Sequence, residues 1–142
     1  MSSAKQMTVE EIHDFGIQIV LNQLKKEGYE IQSVNSKLGM YPQIIAEKGN
    51  LLAYIAVCTA CYPRKGQLGR SVNFQMIDHA KKYGAIPYLA SVGIINADAK
   101  TEEEMAIPVK GAGFHVVYDG MVIIARSDRV MIFDEKGLRN AT

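Results

Sequence analysis

The chain has 142 residues, of which 48% are hydrophobic and 22% are charged, a composition typical of a folded globular protein. The formal net charge is only +1, which excludes a polycation, so any affinity for nucleic acid must come from a local cluster of cations. No run of about 18 apolar residues could span a bilayer, and the polar N-terminus lacks the apolar core of a signal peptide. We therefore expect one cytoplasmic domain over residues 1–142, with no membrane partner.

The first predicted element is a helix that runs to about residue 27. Thr8 and Glu11 fit a capping box, in which each side chain binds a free amide at the helix N-terminus. Apolar residues then recur at three- and four-residue spacing, so one face of the helix should be buried. Gly28 favours the end of the helix, because glycine adopts the left-handed conformation without steric cost.

Three strands are predicted next. Residues 29–34 alternate apolar and polar side chains, which indicates a half-buried strand. The stretch 41–61 predicts two strands joined by a tight turn at Lys48-Gly49-Asn50. The second strand of this pair, residues 51–58, is apolar on both faces, which is typical of a central strand covered on both sides.

A second helix and a fourth strand complete the predicted core. Residues 72–83 carry apolar side chains at helical spacing, and Gly84 ends the helix. Residues 86–95 form an apolar strand. Because a helix joins two apolar strands within a short span, we expect a crossover connection that makes this strand parallel to residues 51–58.

The C-terminal part predicts a β extension over about residues 113–134. Residues 114–118 and 121–126 flank Asp119-Gly120, a favoured two-residue hairpin turn, and another strand is expected at residues 130–133. The second of these segments begins with five apolar residues in a row. We therefore expect it to be buried on both sides, either within the subunit or in a homodimer interface.

Short segments at characteristic positions connect this order of elements to a known superfamily. They are Gly28-Tyr29 after the first helix, residues 42–46 and 54–59 on the hairpin, and Gln75 with residues 81–87 on the second helix and into the fourth strand. In their order and spacing they resemble the PD-(D/E)XK nuclease superfamily of restriction-endonuclease-like and Holliday-junction-resolvase-like proteins. The resemblance covers about residues 9–96. It implies an α/β fold with a mixed central sheet in helix–strand–strand–strand–helix–strand order.

The resemblance also indicates where catalytic residues would lie. The superfamily has an aspartate after the proline, where this chain has Gln43, and an acid and a lysine on the third strand, where it has Ala56 and Cys58. Such sites need hard oxygen ligands for magnesium, which activates the attacking water. Because none of the three residues meets this need, we expect a non-catalytic nuclease-fold protein with a binding or structural role and no cofactor.

One alternative keeps nuclease activity. Some members of the superfamily carry an acid on the second helix, where this chain has Asp78. Glu47 shares a strand face with Gln43, because side chains repeat every two residues. In this alternative Glu47 and Asp78 are displaced carboxylates that share a magnesium ion, with Gln75 near the metal site.

A second alternative assigns thiol chemistry to Cys58 and Cys61, which form a C-x-x-C motif. The motif suits a redox pair or half of a zinc site. Zinc needs about four ligands, and the sequence has no second such motif. A redox motif normally opens a helix that lowers the thiol pKa, whereas Pro63 and two glycines follow here.

A basic, glycine-bearing loop is the strongest sign of a ligand. The segment PRKGQLGR carries Arg64, Lys65 and Arg70, and no acidic residue occurs between Glu47 and Asp78. Guanidinium groups and the free amides at the start of a helix are suited to phosphate. We therefore expect DNA or RNA to bind at this loop.

Overall fold

A computed structural model describes residues 5–125 and 131–140. The elements are α1 Val9–Lys26, β1 Glu30–Val34, β2 Ile44–Lys48, β3 Leu51–Cys61, α2 Arg70–Lys82, β4 Ile86–Asn96, α3 Glu102–Met105, β5 Phe114–Val117, β6 Met121–Ile123, β7 Met131–Asp134 and β8 Gly137–Asn140. The predicted helices, and the predicted strands as far as β4, are confirmed with small differences at their ends. None of the described helices is long and apolar enough to cross a membrane.

Helix α1 begins and ends where its sequence predicts. The Thr8 hydroxyl accepts a hydrogen bond from the Glu11 amide, and the Glu11 carboxylate accepts one from the Thr8 amide, which completes the capping box. Gly28 follows the helix with a φ of 89°. One face of the helix is buried against the sheet, through Ile17, Val20, Leu21 and Leu24.

The central sheet is mixed. Its strand order is β1-β2-β3-β4-β5, and β6 also pairs with β4. The pairs β1–β2 and β2–β3 are antiparallel, whereas β3 and β4 are parallel, from Ala53 opposite Ile86 to Cys61 opposite Ile94. The predicted parallel fourth strand is therefore confirmed. Together with the two helices, this arrangement is the restriction-endonuclease-like α/β fold that the sequence predicts.

Strand β3 is covered on both faces, as predicted. Ile55 and Val57 belong to the apolar cluster beneath α1, and Tyr54 and Ala56 belong to the cluster beneath α2. Neighbouring side chains on a strand point to opposite faces, so the two helices cover opposite sides of the sheet. Strand β3 is apolar along most of its length because a helix covers each of its two faces.

The prediction of a hairpin at Asp119-Gly120 was wrong. Strands β5 and β6 each pair antiparallel with β4, β5 opposite residues 93–96 and β6 opposite residues 88–90. They form one interrupted edge strand, and Gly120, with a φ of 97°, lies in the irregular segment between them. The physical reason is that β4 has 11 residues and offers an edge long enough to pair with both segments in succession.

The predicted half-buried strand is confirmed at β1, where Tyr29 and Ile31 pack against the cluster beneath α1 and Glu30 and Gln32 are exposed. Burial of β6 on both sides within the subunit is not observed, because this strand lies at the other edge of the sheet. In β6, Val122 and Ile123 expose 58% and 61% of their surface, whereas Ile124 just beyond the strand is buried. The apolar run is therefore not covered on both sides within the subunit.

The last predicted strand is part of a separate hairpin. It corresponds to β7, which pairs antiparallel with β8 in a two-stranded sheet. Residue 130, where that strand was predicted to begin, lies outside the described residues. A C-terminal β-hairpin is thus present, formed by β7 and β8 and not by the segments around Asp119-Gly120.

Candidate functional site

A cleft of about 820 Å³ opens at the carboxyl end of β3. Its walls come from α1, the loop between β1 and β2, the end of β3 and the loop that follows β3. In open α/β sheets, ligands bind beyond the carboxyl ends of parallel strands. Because β3 is parallel to β4, the cleft lies where a functional site is expected.

Gln43, where the sequence resemblance implies an aspartate, is bonded to the backbone of the hairpin. Its side chain is buried. The side-chain oxygen accepts a hydrogen bond from the Val57 amide at 2.7 Å, and the nitrogen donates to the Met40 carbonyl at 2.8 Å. The Val57 bond extends the β2–β3 ladder beyond its last residue pair, Ile44 opposite Ile55, and the Met40 bond fixes the loop before β2. The amide therefore stabilises the hairpin.

Ala56 and Cys58, where the sequence resemblance implies an acid and a lysine, offer no ligand to a hard metal ion. Ala56 is fully buried in the cluster beneath α2. Cys58 lines the cleft, and burial raises the pKa of its thiol to about 11. The thiol is therefore protonated at neutral pH, so it neither suits magnesium nor carries the positive charge of a lysine.

Glu47 and Asp78, the carboxylates of the displaced-site alternative, do not line a common pocket. Glu47 accepts a hydrogen bond from Gln32 on β1 and lies opposite the beginning of β3. Asp78 and Gln75 line a smaller pocket of about 440 Å³ beside α2, and Glu47 is not among the described residues that line it. Strand geometry separates Glu47 from Gln43 by about 13 Å. The structure thus brings Gln75 and Asp78 together and leaves Glu47 apart.

The two cysteines lie on opposite faces of the sheet. Strand β3 continues beyond its predicted end to Cys61, so both residues of the C-x-x-C motif are on the strand. Cys58 shares a face with Ala56, whereas Cys61 packs against the cluster beneath α1. Within residues 5–125 and 131–140, no three His, Cys, Asp or Glu side chains form a metal-binding group. The strand geometry therefore argues against both the redox pair and the zinc site.

The loop between β3 and α2 brings two of the three predicted cations to the cleft. Arg64 and Lys65 line the cleft with exposed side chains. Lys65 also forms a salt bridge of 2.5 Å with Asp119, between β5 and β6. Arg70 begins α2, and its guanidinium lies 5.6 Å from the ring centroid of Phe74, a cation–π contact. Of the three predicted cations, Arg64 and Lys65 thus lie at the cleft and Arg70 lies at the start of α2.

Gly66 allows this loop to lie directly against β3. A side chain at Gly66 would place its Cβ 2.0 Å from the carbonyl oxygen of Cys58. Two hydrogen bonds join Gly66 to β4. The Ser91 hydroxyl donates to the Gly66 carbonyl at 2.6 Å, and the Gly66 amide donates to the Val92 carbonyl at 3.4 Å. The glycine and these bonds hold the loop cations at the edge of the cleft.

The cleft also contains polar residues that the sequence interpretation did not single out. His13 on α1 is buried, and both His13 and Thr59 line the cleft. Neither His13 Nε2 nor Thr59 Oγ1 has a hydrogen-bond partner in the described part of the chain. Burial lowers the pKa of His13, and the nearby charge of Asp14 opposes this shift. The imidazole is therefore neutral at pH 7.

One sequence signal for this arrangement was Gly16, in the middle of α1. A glycine inside a helix costs about 1 kcal/mol relative to alanine, so its presence suggests close packing. A Cβ at Gly16 would lie 1.6 Å from Thr59 Oγ1, which means that the strand approaches the helix at this point. His13 precedes Gly16 by one helical turn and therefore lies on the same face.

The elements define an α/β protein of restriction-endonuclease-like fold, in which Gln43, Ala56 and Cys58 contribute a buried amide, a buried methyl group and a protonated thiol. The chain belongs to the family described as Domain of unknown function (DUF8840), whose model matches residues 10–124. The match extends from the first turn of α1 to the end of β6, and so includes the cleft. No curated protein matches the chain significantly.

Among solved structures, the chain is similar to Hjc, a Holliday junction resolvase from Archaeoglobus fulgidus, an archaeal hyperthermophile. The sequence identity is 23% and the TM-score is 0.46. The match covers 54% of this chain and 65% of the resolvase, so it spans less than two thirds of the resolvase's length.

Proposed function

We propose that this protein is a non-catalytic nuclease-fold protein that binds nucleic acid at the cleft and its basic loop. One observation carries the proposal: Arg64 and Lys65 line the cleft, and the described residues that line it include no acidic side chain. Binding a phosphodiester backbone needs cations, whereas cleaving it with magnesium needs oxygen ligands for the metal. The described residues of the cleft therefore supply the positive charge that binds phosphates and no carboxylate that would hold magnesium for cleavage.

The loop favours contact with the backbone of a nucleic acid. Arg64 and Lys65 are exposed, and Arg70 extends the cationic surface to the start of α2. Contacts from such side chains to phosphates position a protein on a nucleic acid and carry no sequence information. DNA and RNA both present this backbone, so the proposal covers either one, and binding requires no cofactor.

The test is fluorescence anisotropy with a labelled duplex DNA, a branched DNA and an RNA hairpin, at two salt concentrations and without metal. In the triple variant Arg64→Ala, Lys65→Ala, Arg70→Ala, we expect affinity to fall by about tenfold or more and its salt dependence to become shallower, because fewer counterions are released.

A matched control removes the same charge elsewhere, through Lys5→Ala, Lys25→Ala and Lys26→Ala. Lys25 and Lys26 lie in the last turn of α1, at the far end of the helix from His13. The control should bind within about twofold of the original protein. Equal losses in the two triple variants would contradict the proposal, and so would an absence of binding at low salt.

We also propose that two copies of the chain pair through their C-terminal strands. Val116 and Val117 of β5, and Val122 and Ile123 of β6, are exposed apolar side chains on a strand at the edge of the sheet. Such an edge favours pairing with another strand. Light scattering should give about twice the chain mass of 15.7 kDa. Val122→Lys with Ile123→Lys should give monomers, and a monomeric original protein would contradict this proposal.

A further inference from the structure

A second pocket lies beside the cleft, on the other side of the loop that carries the cations. Its volume is about 320 Å³, within the range of about 300–1,000 Å³ that small-molecule sites occupy. Pro63, Arg64 and Lys65 line both the cleft and this second pocket. The other walls of the second pocket come from β4, from Val117 of β5 and from Tyr62, which directly follows β3. The cationic loop therefore lies between two cavities.

The surface of the second pocket is mostly apolar. Gly93 and Ile95 of β4 line it together with Val117, which lies opposite Gly93 in the sheet. Residues paired across two antiparallel strands point to the same face, and so do residues two apart on one strand, so these three share one face of the sheet. None of the described residues that line the pocket is acidic. The pocket therefore suits an apolar group that is joined to an anion.

Gly93 is the point at which the cationic loop meets the pocket. An added Cβ at Gly93 would lie 3.3 Å from the Arg64 carbonyl oxygen and 3.3 Å from Lys65 Cγ. Val117 Cβ would lie 3.7 Å from the same added atom. The aliphatic part of the Lys65 side chain therefore lies over Gly93, and its ammonium group forms the salt bridge with the exposed Asp119. A group bound in the pocket would thus lie beside the Lys65 side chain.

Tyr62 contributes an aromatic ring to the pocket. Its backbone amide donates a hydrogen bond to the Ile94 carbonyl at 2.8 Å, which joins the residue to β4. Its hydroxyl donates to the Glu102 carboxylate of α3 at 3.1 Å. The ring is thus held from both ends. An aromatic ring at the edge of a cationic surface is a platform on which a nucleobase can stack.

We propose that the second pocket binds one unpaired nucleobase of the nucleic acid whose phosphates contact Arg64 and Lys65. A base within a duplex is paired and stacked, so its faces reach a protein pocket only when the base leaves the stack. An apolar side chain of a protein partner would bring no anion for the two cations. The inference rests on the proposed function and deepens it, because it names the substrate class as a duplex with an unpaired base.

The test compares two duplexes of equal charge. One carries a single unpaired 2-aminopurine, and the other carries an abasic residue at the same position. Fluorescence anisotropy gives the affinity of each, as DNA and as RNA, at two salt concentrations. We expect the duplex with the base to bind at least about fivefold more tightly in one or both nucleic acids, because stacking adds to the phosphate contacts. Equal affinities for the two duplexes in both nucleic acids would overturn the proposal.

Two neighbouring valines of β5 provide a matched pair of variants. Val116 is 40% exposed and Val117 is 36% exposed, and of the two only Val117 lines the second pocket. They point to opposite faces of the sheet. Val117→Phe should fill the pocket and reduce the preference for the unpaired base to less than about twofold, whereas Val116→Phe should keep the preference. The same preference in both variants would overturn the proposal.

Tyr62 offers a second pair of variants. Tyr62→Phe keeps the ring and should keep the preference for the unpaired base. Tyr62→Ala removes the ring and should reduce the preference by at least about threefold. The abasic duplex depends on the cations alone, so all four variants should bind it as the original protein does. An unchanged preference in Tyr62→Ala would overturn the proposal.

The same measurements separate this inference from the proposed function. Binding of the abasic duplex that depends on Arg64, Lys65 and Arg70, with no gain from the unpaired base, would overturn this inference and leave the proposed function standing. No binding of either duplex at low salt would overturn both.

Discussion

Gln43 stabilises the hairpin of β2 and β3 through its side-chain amide. Its amide accepts a hydrogen bond from the Val57 backbone and donates one to the Met40 carbonyl, whereas an ionised acid can only accept. The sequence shows a glutamine where the resemblance implies an aspartate. It could not show that the amide had entered the hairpin ladder, because Gln43 and Val57 are 14 positions apart and meet only when the hairpin forms.

Gln43→Glu should therefore destabilise the fold. The carboxylate keeps the bond from the Val57 amide, but the Met40 carbonyl loses its donor and faces a negative charge. We expect a loss of about 1–3 kcal/mol in the free energy of unfolding, measured with urea at pH 7. Gln18→Glu on the exposed face of α1 is the control and should change stability by less than about 0.5 kcal/mol. Equal losses in both variants would contradict the structural role of Gln43.

The thiols of Cys58 and Cys61 should react slowly. Burial raises both pKa values, that of Cys58 to about 11, and the reactive thiolate is populated only as the pH approaches the pKa. Alkylation by iodoacetamide, followed by intact mass, should stay slow from about pH 7 to 9 and accelerate at higher pH. Rapid alkylation at pH 7, or a disulfide within the chain after mild oxidation, would contradict the placement of the two thiols.

Asp119 should compete with nucleic acid for Lys65. The side chain of Asp119 is 80% exposed and that of Lys65 is 40% exposed, so the salt bridge between them adds little to the stability of the fold. Asp119→Asn releases Lys65 and should strengthen DNA binding by about two- to fivefold, measured by anisotropy. Glu30→Gln removes the same charge from the edge strand β1 and should have a smaller effect. Equal affinity in Asp119→Asn and the original protein would mean that Lys65 does not contact the DNA.

At the scale of elements, the sequence predicted the core because each core element carries a local pattern. The capping box at Thr8 and Glu11, the turn at Gly49 and the apolar run of β3 all depend on neighbours in sequence. The segments around Asp119-Gly120 carry an equally strong local pattern for a hairpin, yet both pair with β4. Their pairing depends on the free edge of β4, which residues earlier in the chain contribute. A local sequence pattern cannot indicate that such an edge is available.

The loop between β3 and α2 depends on Gly66 and not on Gly69. Gly66→Ala would place a Cβ against the backbone of Cys58, which cannot move aside as a flexible side chain can. We expect a loss of about 1–3 kcal/mol in a urea titration, together with weaker DNA binding because Arg64 and Lys65 shift. Gly69→Ala meets no atom within 4 Å and should cost less, about 0.5–1 kcal/mol, because alanine caps the start of α2 less well than glycine. Equal urea midpoints for Gly66→Ala and Gly69→Ala would contradict the close approach at Gly66.

At the scale of the whole molecule, the cleft joins parts of the chain that are distant in sequence. Composition and charge drew attention to Arg64 and Lys65, which do line the cleft. Composition and charge gave no such signal for His13 and Thr59, because α1 and β3 meet only after the sheet has formed, and Gly16 indicated only that α1 packs closely against another element. Sequence analysis could therefore predict the cationic rim and the fold, but not the buried polar atoms beneath the rim.

A cleavage assay run beside a binding assay, on the same labelled duplex and branched DNA, tests the central claim most directly. Each DNA is incubated with excess protein in magnesium, in manganese or in EDTA. We expect binding in all three conditions, intact DNA throughout, and the same result for the double variant Glu47→Gln, Asp78→Asn. Metal-dependent cleavage by the original protein that disappears in the double variant would contradict the claim and establish a nuclease with displaced carboxylates.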